Sequence, residues 1–227
     1  MPISAIIVAA GSSRRMGFDK LEADLDGESV LARSMMVFQS CPEVAEFRVV
    51  TSSEQIELVK EASARLGLSK FVEAIEGGAE RHLSVHAGLS RVAAEMELVA
   101  VHDGARPLVT VSAITRCAAF AKKSGAATLA HRVTDTLKRG NDGGEVAGPV
   151  SREDLWAMET PQIFQTKLLR EAYEWVLNSG EIVTDEVSAL EAIGHRIKLV
   201  ENSEPNDKIT VPGDLVVARA ILGARQD

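Results

Sequence analysis

The sequence has little of what marks several large classes of protein. It contains two cysteines among 227 residues, Cys41 and Cys117, and they are far apart, without the paired spacing of zinc sites. We therefore expect two reduced, partly buried thiols. No apolar stretch is long enough to cross a bilayer, and the N-terminal residues lack the basic and apolar segments of a signal peptide. These absences predict a cytoplasmic protein that is not bound to a membrane.

Positive charge is also scarce. Lys and Arg total 25 against 33 Asp and Glu, which gives a formal net charge of -8. Broad binding to nucleic acid needs clustered basic side chains that replace counterions, so we expect no nucleic-acid partner. A local basic pocket is still compatible with this total. Hydrophobic residues make up 45% and charged residues 26% of the chain, which is ordinary for a globular protein with a sizeable core.

Short apolar runs alternate with amphipathic runs along most of the chain. The predicted strands are Ile3 to Ala9, Phe47 to Thr51, Phe71 to Ile75, Leu98 to Val101, Ala126 to Ala130 and Arg196 to Val200. The predicted helices are Val30 to Ser40, Glu54 to Leu66, Arg81 to Glu95, Ser112 to Ser124, Lys167 to Leu177, Asp185 to Ile193 and Pro212 to Leu222. This alternation predicts an α/β fold with a Rossmann-like, mostly parallel sheet and helices on both faces. In such sheets, ligands bind beyond the carboxyl ends of the strands.

One segment departs from the alternation. The run Gly140-Asn141-Asp142-Gly143-Gly144 is a strong turn signal between the polar, strand-like flanks Thr134 to Lys138 and Glu145 to Val150. An isolated hairpin with so little apolar surface is marginal in water. We therefore expect a protruding β-hairpin arm at about 134–156 that lies against its own subunit or another one. The remainder of 1–227 is predicted to be a single domain.

The first candidate site is AAGSSRRMG at residues 9–17, followed by Lys20. It comes directly after a predicted strand. Small residues let a ligand approach the backbone closely, and a glycine turn that leads into a helix presents N–H groups to phosphate. Arg14, Arg15 and Lys20 supply charge for a triphosphate. The motif is neither a P-loop nor the dinucleotide-binding glycine pattern, and a solvated turn is the alternative interpretation.

Two further candidate sites also follow predicted strands. The segment HDGARP at residues 102–107 offers an acidic side chain for a metal ion or a sugar hydroxyl; an Asp-Gly turn balanced by an arginine is the alternative. The segment GGAERHLSV at residues 77–85 opens a predicted helix, and a flexible turn is the alternative there. His82 and His86 are four residues apart, but no glutamate follows His82, so the zinc-protease pattern fails.

Together with later segments, these motifs resemble the 2-C-methyl-D-erythritol 4-phosphate cytidylyltransferase family. The resemblance extends from Ile6 to Leu215. It rests on six motifs in order: AAGSSRRMG, GGAERHLSV, HDGARP, DTLK, TPQIF with the upstream Arg152, and TDEVSALE followed by NDKIT. The sequence departs from the family at Gly17-Phe18-Asp19, where members often carry a proline just before the lysine.

The resemblance implies a role for each matching residue. Arg15 and Lys20 would neutralise the phosphates of CTP and stabilise the transition state, and Arg152 and Lys208 would hold a small polyol phosphate for in-line attack. The substrate pocket would be completed by Ala9, Ala10, Gly11, Gly78, Ser84, Asp103, Arg106, Thr136, Thr160 and Thr184. Mg²⁺ would bridge the phosphates beside Asp103, and the hairpin would be the arm of a homodimer.

Two other functions stay open from the sequence. The ribitol-5-phosphate cytidylyltransferases share the early motifs, although TDEVSA at residues 184–189 is more typical of the methylerythritol branch. An inactive relative that only binds nucleotide belongs to another class of protein. The presence of Arg15, Lys20, Asp103, Arg152 and Lys208 favours an enzyme.

Overall fold

A computed structural model describes residues 1–11 and 16–225. Its strands are β1 (Ile3–Val8), β2 (Asp24–Leu25), β3 (Glu28–Ser29), β4 (Val44–Thr51), β5 (Phe71–Glu76), β6 (Leu98–Asp103), β7 (Ala126–Arg132), β8 (Leu137–Gly140), β9 (Val146–Val150), β10 (Trp156–Gln165) and β11 (Lys198–Glu201). Its helices are α1 (Val30–Ser40), α2 (Ile56–Arg65), α3 (Arg81–Ser90), α4 (Val111–Ser124), α5 (Thr166–Ser179), α6 (Glu186–Ala192) and α7 (Pro212–Ala224).

The main sheet has seven strands in the order β11-β7-β10-β6-β1-β4-β5. β1 pairs in parallel with β4 and β6, β4 with β5, and β7 with β11. β10 is antiparallel to both β6 and β7. The mostly parallel α/β architecture predicted from the sequence is therefore confirmed.

Helices cover both faces of this sheet, as the alternation along β1 shows. Ala5 and Ile7 point into a core shared with α1 and α4, whereas Ile6 points into a second core shared with α3 and α5. Successive side chains of a strand face opposite sides, and all three of these side chains are fully buried. A strand buried on both faces is largely apolar, which explains the apolar run in the sequence, interrupted here by Ser4.

Strand β10, which contains Pro161, is not among the strands predicted from the sequence. Pro161 cannot donate to a sheet ladder, so a proline argues against a central strand. The structure accommodates it where the pairing is irregular: the register of β10 on β7 shifts between Met158 and Gln162, and pairing with β6 starts at Gln162. The residues around Pro161 thereby avoid the regular ladder.

Helix α3 is shorter than the predicted Arg81 to Glu95. It ends at Ser90, and the carbonyl of Val92 accepts a hydrogen bond of 2.6 Å from Arg170 of α5. A carbonyl satisfied by a side chain does not need a further turn of helix. The buried side chain of Val92 then fills the core beside α5.

Strands β8 and β9 form a separate two-stranded antiparallel sheet. Residues 138–140 and 142–147 are exposed, which matches the polar composition of the predicted arm. Cys41 and Cys117 are both buried free thiols, as the sequence predicted. Within residues 1–11 and 16–225, every helix is too short or too polar to span a membrane.

Candidate active site

A cavity of about 430 Å³ opens beyond the carboxyl ends of β1 and β6. The chain folds this way because parallel neighbouring strands end at the same edge of the sheet: β1 and β6 are paired up to Val8 and Asp103. The described residues that line the cavity are Val8, Ala9, Ala10, Gly11, Lys20, Leu21, Gly78, Ala79, Glu80, Arg81, Ser84, Asp103, Ala105 and Lys208.

Glycine is required where two loops meet at this cavity. A Cβ atom added to Gly77 would lie 2.5 Å from the Cβ of Ala10 and 2.8 Å from the Oγ of Ser84. These separations are shorter than any van der Waals contact, so the loop after β5 can approach the loop after β1 only with glycine here. The Ser84 hydroxyl fixes this loop further, since it accepts a 3.1 Å hydrogen bond from the N–H of Gly78.

Asp103, the last residue of β6, carries a cation on each carboxylate oxygen. Its Oδ2 accepts from the Nζ of Lys208 at 2.8 Å, and its Oδ1 accepts from the Nη2 of Arg81 at 3.2 Å. Burial by itself would raise the pKa of Asp103, but the charges of Arg81 and Lys208 outweigh it and hold the pKa well below its ordinary value. Asp103 is therefore an anion that organises two cations at the cavity wall.

Arg81 is in turn held from behind by Glu186, the first residue of α6. Its Nη1 and Nη2 donate to Oε1 and Oε2 of Glu186 at 2.7 and 3.0 Å, and the hydroxyl of Tyr173 donates to Oε1 at 2.9 Å. Burial would lower the pKa of Arg81, but Glu186 and Asp103 raise it above its ordinary value. Arg81 is consequently a permanent cation between two carboxylates.

A second set of hydrogen bonds fixes the backbone of Asp103. Its N–H donates to the hydroxyl of Thr160 at 3.0 Å, and that hydroxyl lies 3.0 Å from the Nδ1 of His102. The Nε2 of His102 lies 3.1 Å from the carbonyl of Arg106. A carbonyl only accepts, so Nε2 carries the proton and Nδ1 accepts from Thr160. Burial lowers the pKa of His102 to about 4, which keeps the ring neutral.

The structure brings most of the predicted site residues to this one cavity: Ala9, Ala10, Gly11, Lys20, Gly78, Ser84, Asp103 and Lys208 all line it. Thr160 and Arg106 lie behind the wall. The Nη1 and Nη2 of Arg106 donate to the carbonyls of Asn206 and Met158 at 2.8 and 3.2 Å, which anchors the loop that carries Lys208. Arg15 lies outside the described residues.

The other three predicted residues lie elsewhere in this chain. Thr136 precedes β8 and Arg152 follows β9, and Arg152 donates to the carbonyl of Thr134 across the base of the arm. Thr184 lines a second cavity of about 630 Å³ with Trp156 and Met158. Although that cavity is larger, its described lining has three acidic residues, Asp154, Asp185 and Glu191, against one arginine, Arg196, and this negative balance suits a triphosphate poorly. Within the described chain, neither Thr136 nor Arg152 lines the 430 Å³ cavity.

Sequence reasoning did not assign Arg81, Glu186 or Tyr173 to the site. Arg81 and Glu186 were visible inside GGAERHLSV and TDEVSALE, but an arginine at a helix start and a glutamate in a first helical turn are ordinary surface residues. Only the tertiary fold, which places α3, α5 and α6 in one core cluster, brings them together. Tyr173 carried no signal beyond its apolar helical position.

The cavity has the donor set for a metal ion held mostly by a ligand's phosphates. No group of three or more His, Cys, Asp or Glu side chains that could hold a metal occurs among residues 1–11 and 16–225. Asp103, at the end of β6, and Glu80 are the carboxylates among the described lining residues of the cavity. Mg²⁺ is commonly bound through one or two carboxylates, waters and phosphate oxygens, and this arrangement fits that pattern.

Comparison with known proteins connects this geometry to one group of enzymes. A family model described as IspD, 2-C-methyl-D-erythritol 4-phosphate cytidylyltransferase, matches residues 3–224. The protein of that name from Alkaliphilus oremlandii is 39% identical over 227 residues, covering 99% of this chain and 96% of its own.

Solved structures of such enzymes have the same fold. The 4-diphosphocytidyl-2C-methyl-D-erythritol synthase of Anaerococcus prevotii superposes with a TM-score of 0.86 at 28% identity, over 98% of both chains. The 2-C-methyl-D-erythritol 4-phosphate cytidylyltransferase of Thermus thermophilus superposes with a TM-score of 0.80 at 32% identity, over 97% of this chain and 98% of its own.

Proposed function

The chain belongs to the 2-C-methyl-D-erythritol 4-phosphate cytidylyltransferase family, and we propose that it performs this reaction in the cavity beyond β1 and β6. CTP and 2-C-methyl-D-erythritol 4-phosphate are converted to 4-diphosphocytidyl-2-C-methyl-D-erythritol and pyrophosphate. One observation carries the proposal: Lys20, Lys208 and Arg81 reach the same cavity as the close-packed glycine loop and the anionic Asp103.

The reaction needs charge and positioning more than proton transfer. An ionised phosphate oxygen of the sugar alcohol attacks the α-phosphorus of CTP, a new P–O bond forms, and the bond from the α-phosphorus to the bridging oxygen breaks, so that pyrophosphate leaves. Because the nucleophile is already an anion, no general base is required. Electrostatic stabilisation of the pentacoordinate phosphorus and in-line alignment account for most catalysis of this kind.

We assign to the residues the roles that the family resemblance implies. Lys20 and Arg15 neutralise the CTP phosphates, and Lys208 and Arg152 hold the phosphate of the sugar alcohol. The backbone of Ala9, Ala10 and Gly11, together with Gly78 and Ser84, binds the cytosine and ribose. The remaining substrate contacts are assigned to Asp103, Arg106, Thr136, Thr160 and Thr184.

The family is one of nucleotidyltransferases, which generally use a divalent metal, and we assign Mg²⁺ to that role. When bound, the ion withdraws charge from the phosphate oxygens and fixes their orientation. Asp103 and the triphosphate would hold it. Lys208 and Arg81 each take an acceptor site on a different oxygen of Asp103, and the carboxylate has further lone pairs for a metal ion. The protein's own part is to keep this carboxylate ionised and fixed.

We also propose that 1–227 is one catalytic domain that dimerises through the arm at about 134–156. The sheet of β8 and β9 has an exposed surface that a second copy of the chain would cover. Such an interface would account for the placement of Thr136 and Arg152 outside their own cavity. The cytoplasmic location and the absence of a nucleic-acid partner stay predictions from the sequence.

Product identification tests the proposed function. The purified protein is incubated with CTP, Mg²⁺ and 2-C-methyl-D-erythritol 4-phosphate, and the mixture is examined by mass spectrometry and phosphorus NMR. The proposal requires equal amounts of the diphosphocytidyl product and pyrophosphate. Hydrolysis of CTP to CMP without the sugar adduct would contradict it.

A further inference from the structure

Glu186 is a buried charge that the proposed reaction does not itself use. Its side chain is fully buried, whereas the side chain of its partner Arg81 is 26% exposed. Three hydrogen bonds reach the carboxylate, two from Arg81 and one from Tyr173. A buried carboxylate is costly unless it is paired and hydrogen-bonded. The packing here meets that requirement with a guanidinium that continues to the cavity surface.

The start of α6 is itself fixed in position. The side-chain amide of Gln162, in β10, donates to Oδ2 of Asp185 at 2.9 Å, and its oxygen accepts from the N–H of Val187 at 3.2 Å. Asp185 also caps the helix through the N–H of Ser188. Glu186, between Asp185 and Val187, is therefore anchored to the central sheet rather than to a mobile loop.

Arg81 connects this anchor with Asp103. Its Nε and Nη2 approach Oδ1 of Asp103 at 3.3 and 3.2 Å, while Nη1 and Nη2 face Glu186. The planar guanidinium has a fixed fork of donors, so fixing one edge fixes the other. The orientation of Asp103 in turn places Lys208, which is bonded to Oδ2.

We propose that Glu186 is a positioning residue for nucleotidyl transfer, which acts through Arg81 to fix the carboxylate of Asp103 and thereby the Nζ of Lys208. This inference rests on the proposed function, because it gives these groups a role in that reaction. Glu186 touches neither substrate. It supplies the negative charge that keeps Arg81 on the cavity wall and directed at Asp103.

The arrangement of charges favours this role over one in folding alone. Replacing a buried ion pair by apolar residues is often neutral or stabilising, so folding does not require one. The network also runs from the interior to the cavity. The exposed fraction of the side chain rises from 0% for Glu186 to 12% for Asp103 and 36% for Lys208. Without Glu186, Arg81 would carry an unbalanced charge beside Asp103 and compete with Lys208 for it.

A double-mutant cycle between Glu186→Gln and Asp103→Asn tests this dependence in the full-length protein. Glutamine keeps the shape of the side chain and removes its charge. We expect Glu186→Gln alone to lower kcat/KM by roughly 10-fold or more, as other residues that orient ligating groups do. In the Asp103→Asn background the same change should have less than about a third of that effect, because residues in one network couple strongly.

A matched control uses a second partly buried ion pair away from the cavity. Glu46 bonds Arg48 at 2.9 Å, with 21% and 3% of the side chains exposed. Glu46→Gln should leave kcat/KM nearly unchanged, and any small effect should multiply with that of Asp103→Asn. A full, multiplicative effect of Glu186→Gln in the Asp103→Asn background, or equal coupling by Glu46→Gln, would overturn the positioning role.

Calorimetric titration with CTP repeats the cycle without turnover and separates the two hypotheses. Suppose that the wild-type protein binds CTP but forms no product. Non-additive changes in binding free energy across the four proteins of the cycle would then support the positioning role, while the missing product would contradict the proposed function. If the enzyme is active and the changes in free energy derived from Kd and kcat/KM are additive, the proposed function stands and the positioning role is contradicted.

Should Glu186→Gln not fold, Tyr173→Phe offers a second test. It removes one hydrogen bond to Glu186 and should show the same coupling to Asp103→Asn at a smaller size, roughly 3-fold. Multiplicative effects of Tyr173→Phe and Asp103→Asn on kcat/KM would overturn the positioning role of Glu186.

Discussion

Lys208 and Asp103 are 105 residues apart in sequence, and their side chains meet at 2.8 Å in the candidate active site. The loop of Lys208 is held near β6 and β10 by hydrogen bonds from side chains to backbone carbonyls: the side chain of Arg106 donates to the carbonyl of Asn206 at 2.8 Å, and the side chain of Asn206 donates to the carbonyl of Thr160 at 2.9 Å. The cation is therefore held in place before substrate arrives. Preorganised charge of this kind lowers a barrier without reorganisation during the reaction.

Lys20→Ala should lower the rate of the chemical step more than it weakens substrate binding. Lys20 lines the cavity, and a charge that acts on the transition state is worth roughly 10²-fold or more in kcat. Steady-state kinetics with CTP as the varied substrate measures both parameters. Lys60→Ala, which removes an exposed lysine paired with Glu57, is the control and should leave kcat unchanged. A raised KM with normal kcat would mean that Lys20 only binds CTP.

Gly77→Ala should destabilise the protein and weaken CTP binding together. The added methyl group would lie 2.5 Å from the Cβ of Ala10, so the loops after β1 and β5 must separate, at a cost of about 1–3 kcal/mol in unfolding free energy. Gly213→Ala, where nothing lies within 4 Å of the added atom, is the control. Denaturant unfolding and CTP titration provide the readouts, and a Gly77→Ala variant with unchanged CTP affinity would contradict this placement of the nucleotide.

Because His102 is buried as a neutral ring, the free energy of unfolding should decrease as the pH falls from 7 to 4. Its pKa is about 4 in the folded chain against an ordinary 6.5, so in this window the unfolded chain binds a proton that the folded chain does not. The stabilisation is complete above pH 6.5 and is lost as the pH falls toward 4, by about 3 kcal/mol. His102→Gln cannot titrate, so its stability deficit relative to the wild type should shrink over this range. A pH-independent deficit in denaturant unfolding would show that His102 titrates normally.

Subunit mixing tests whether Arg152 serves the neighbouring subunit. Arg152→Ala and Lys20→Ala chains, each nearly inactive alone, are combined. If Arg152 acts across the interface, a mixed dimer has one cavity with both lesions and one with neither, so activity returns to roughly a quarter of the wild-type level with random exchange. Mixed dimers that stay inactive would assign Arg152 to its own subunit, and a monomer at assay concentration would refute the arm as a dimer contact.

The parts of the fold that follow from local pattern were the ones the sequence could predict. Strand β1 is a short apolar run and helix α1 has apolar residues at helical spacing. The predicted helix Val30 to Ser40 matches the observed helix at both ends. Strand β10 could not be found, because the irregular register that tolerates Pro161 depends on β7 and β6. The sequence shows the proline, but it does not show which strands pair with the segment around it, and that pairing decides its effect.

The candidate site divides in the same way. The strand ends that carry Ala9 and Asp103 were predicted, since ligands bind at that edge of a parallel sheet. The pairing of Arg81 in α3 with Glu186 in α6 spans 105 residues, and no local pattern encodes it. Arg152 and Thr136 were predicted from family resemblance alone, and under the proposed dimer their roles involve a second chain, which one sequence does not show.

The most direct test of the central claim is pyrophosphate release by the wild-type protein across a panel of nucleotides and polyol phosphates. In the proposed site, backbone groups near Gly11 and Gly78 read the cytosine edge, and a site that hydrogen-bonds one edge discriminates strongly against an analogue of reversed polarity. We predict that CTP with 2-C-methyl-D-erythritol 4-phosphate is turned over far faster than any other pair, with UTP slower by at least about 10²-fold. Equal turnover with UTP, or a preference for ribitol 5-phosphate over 2-C-methyl-D-erythritol 4-phosphate, would contradict the account.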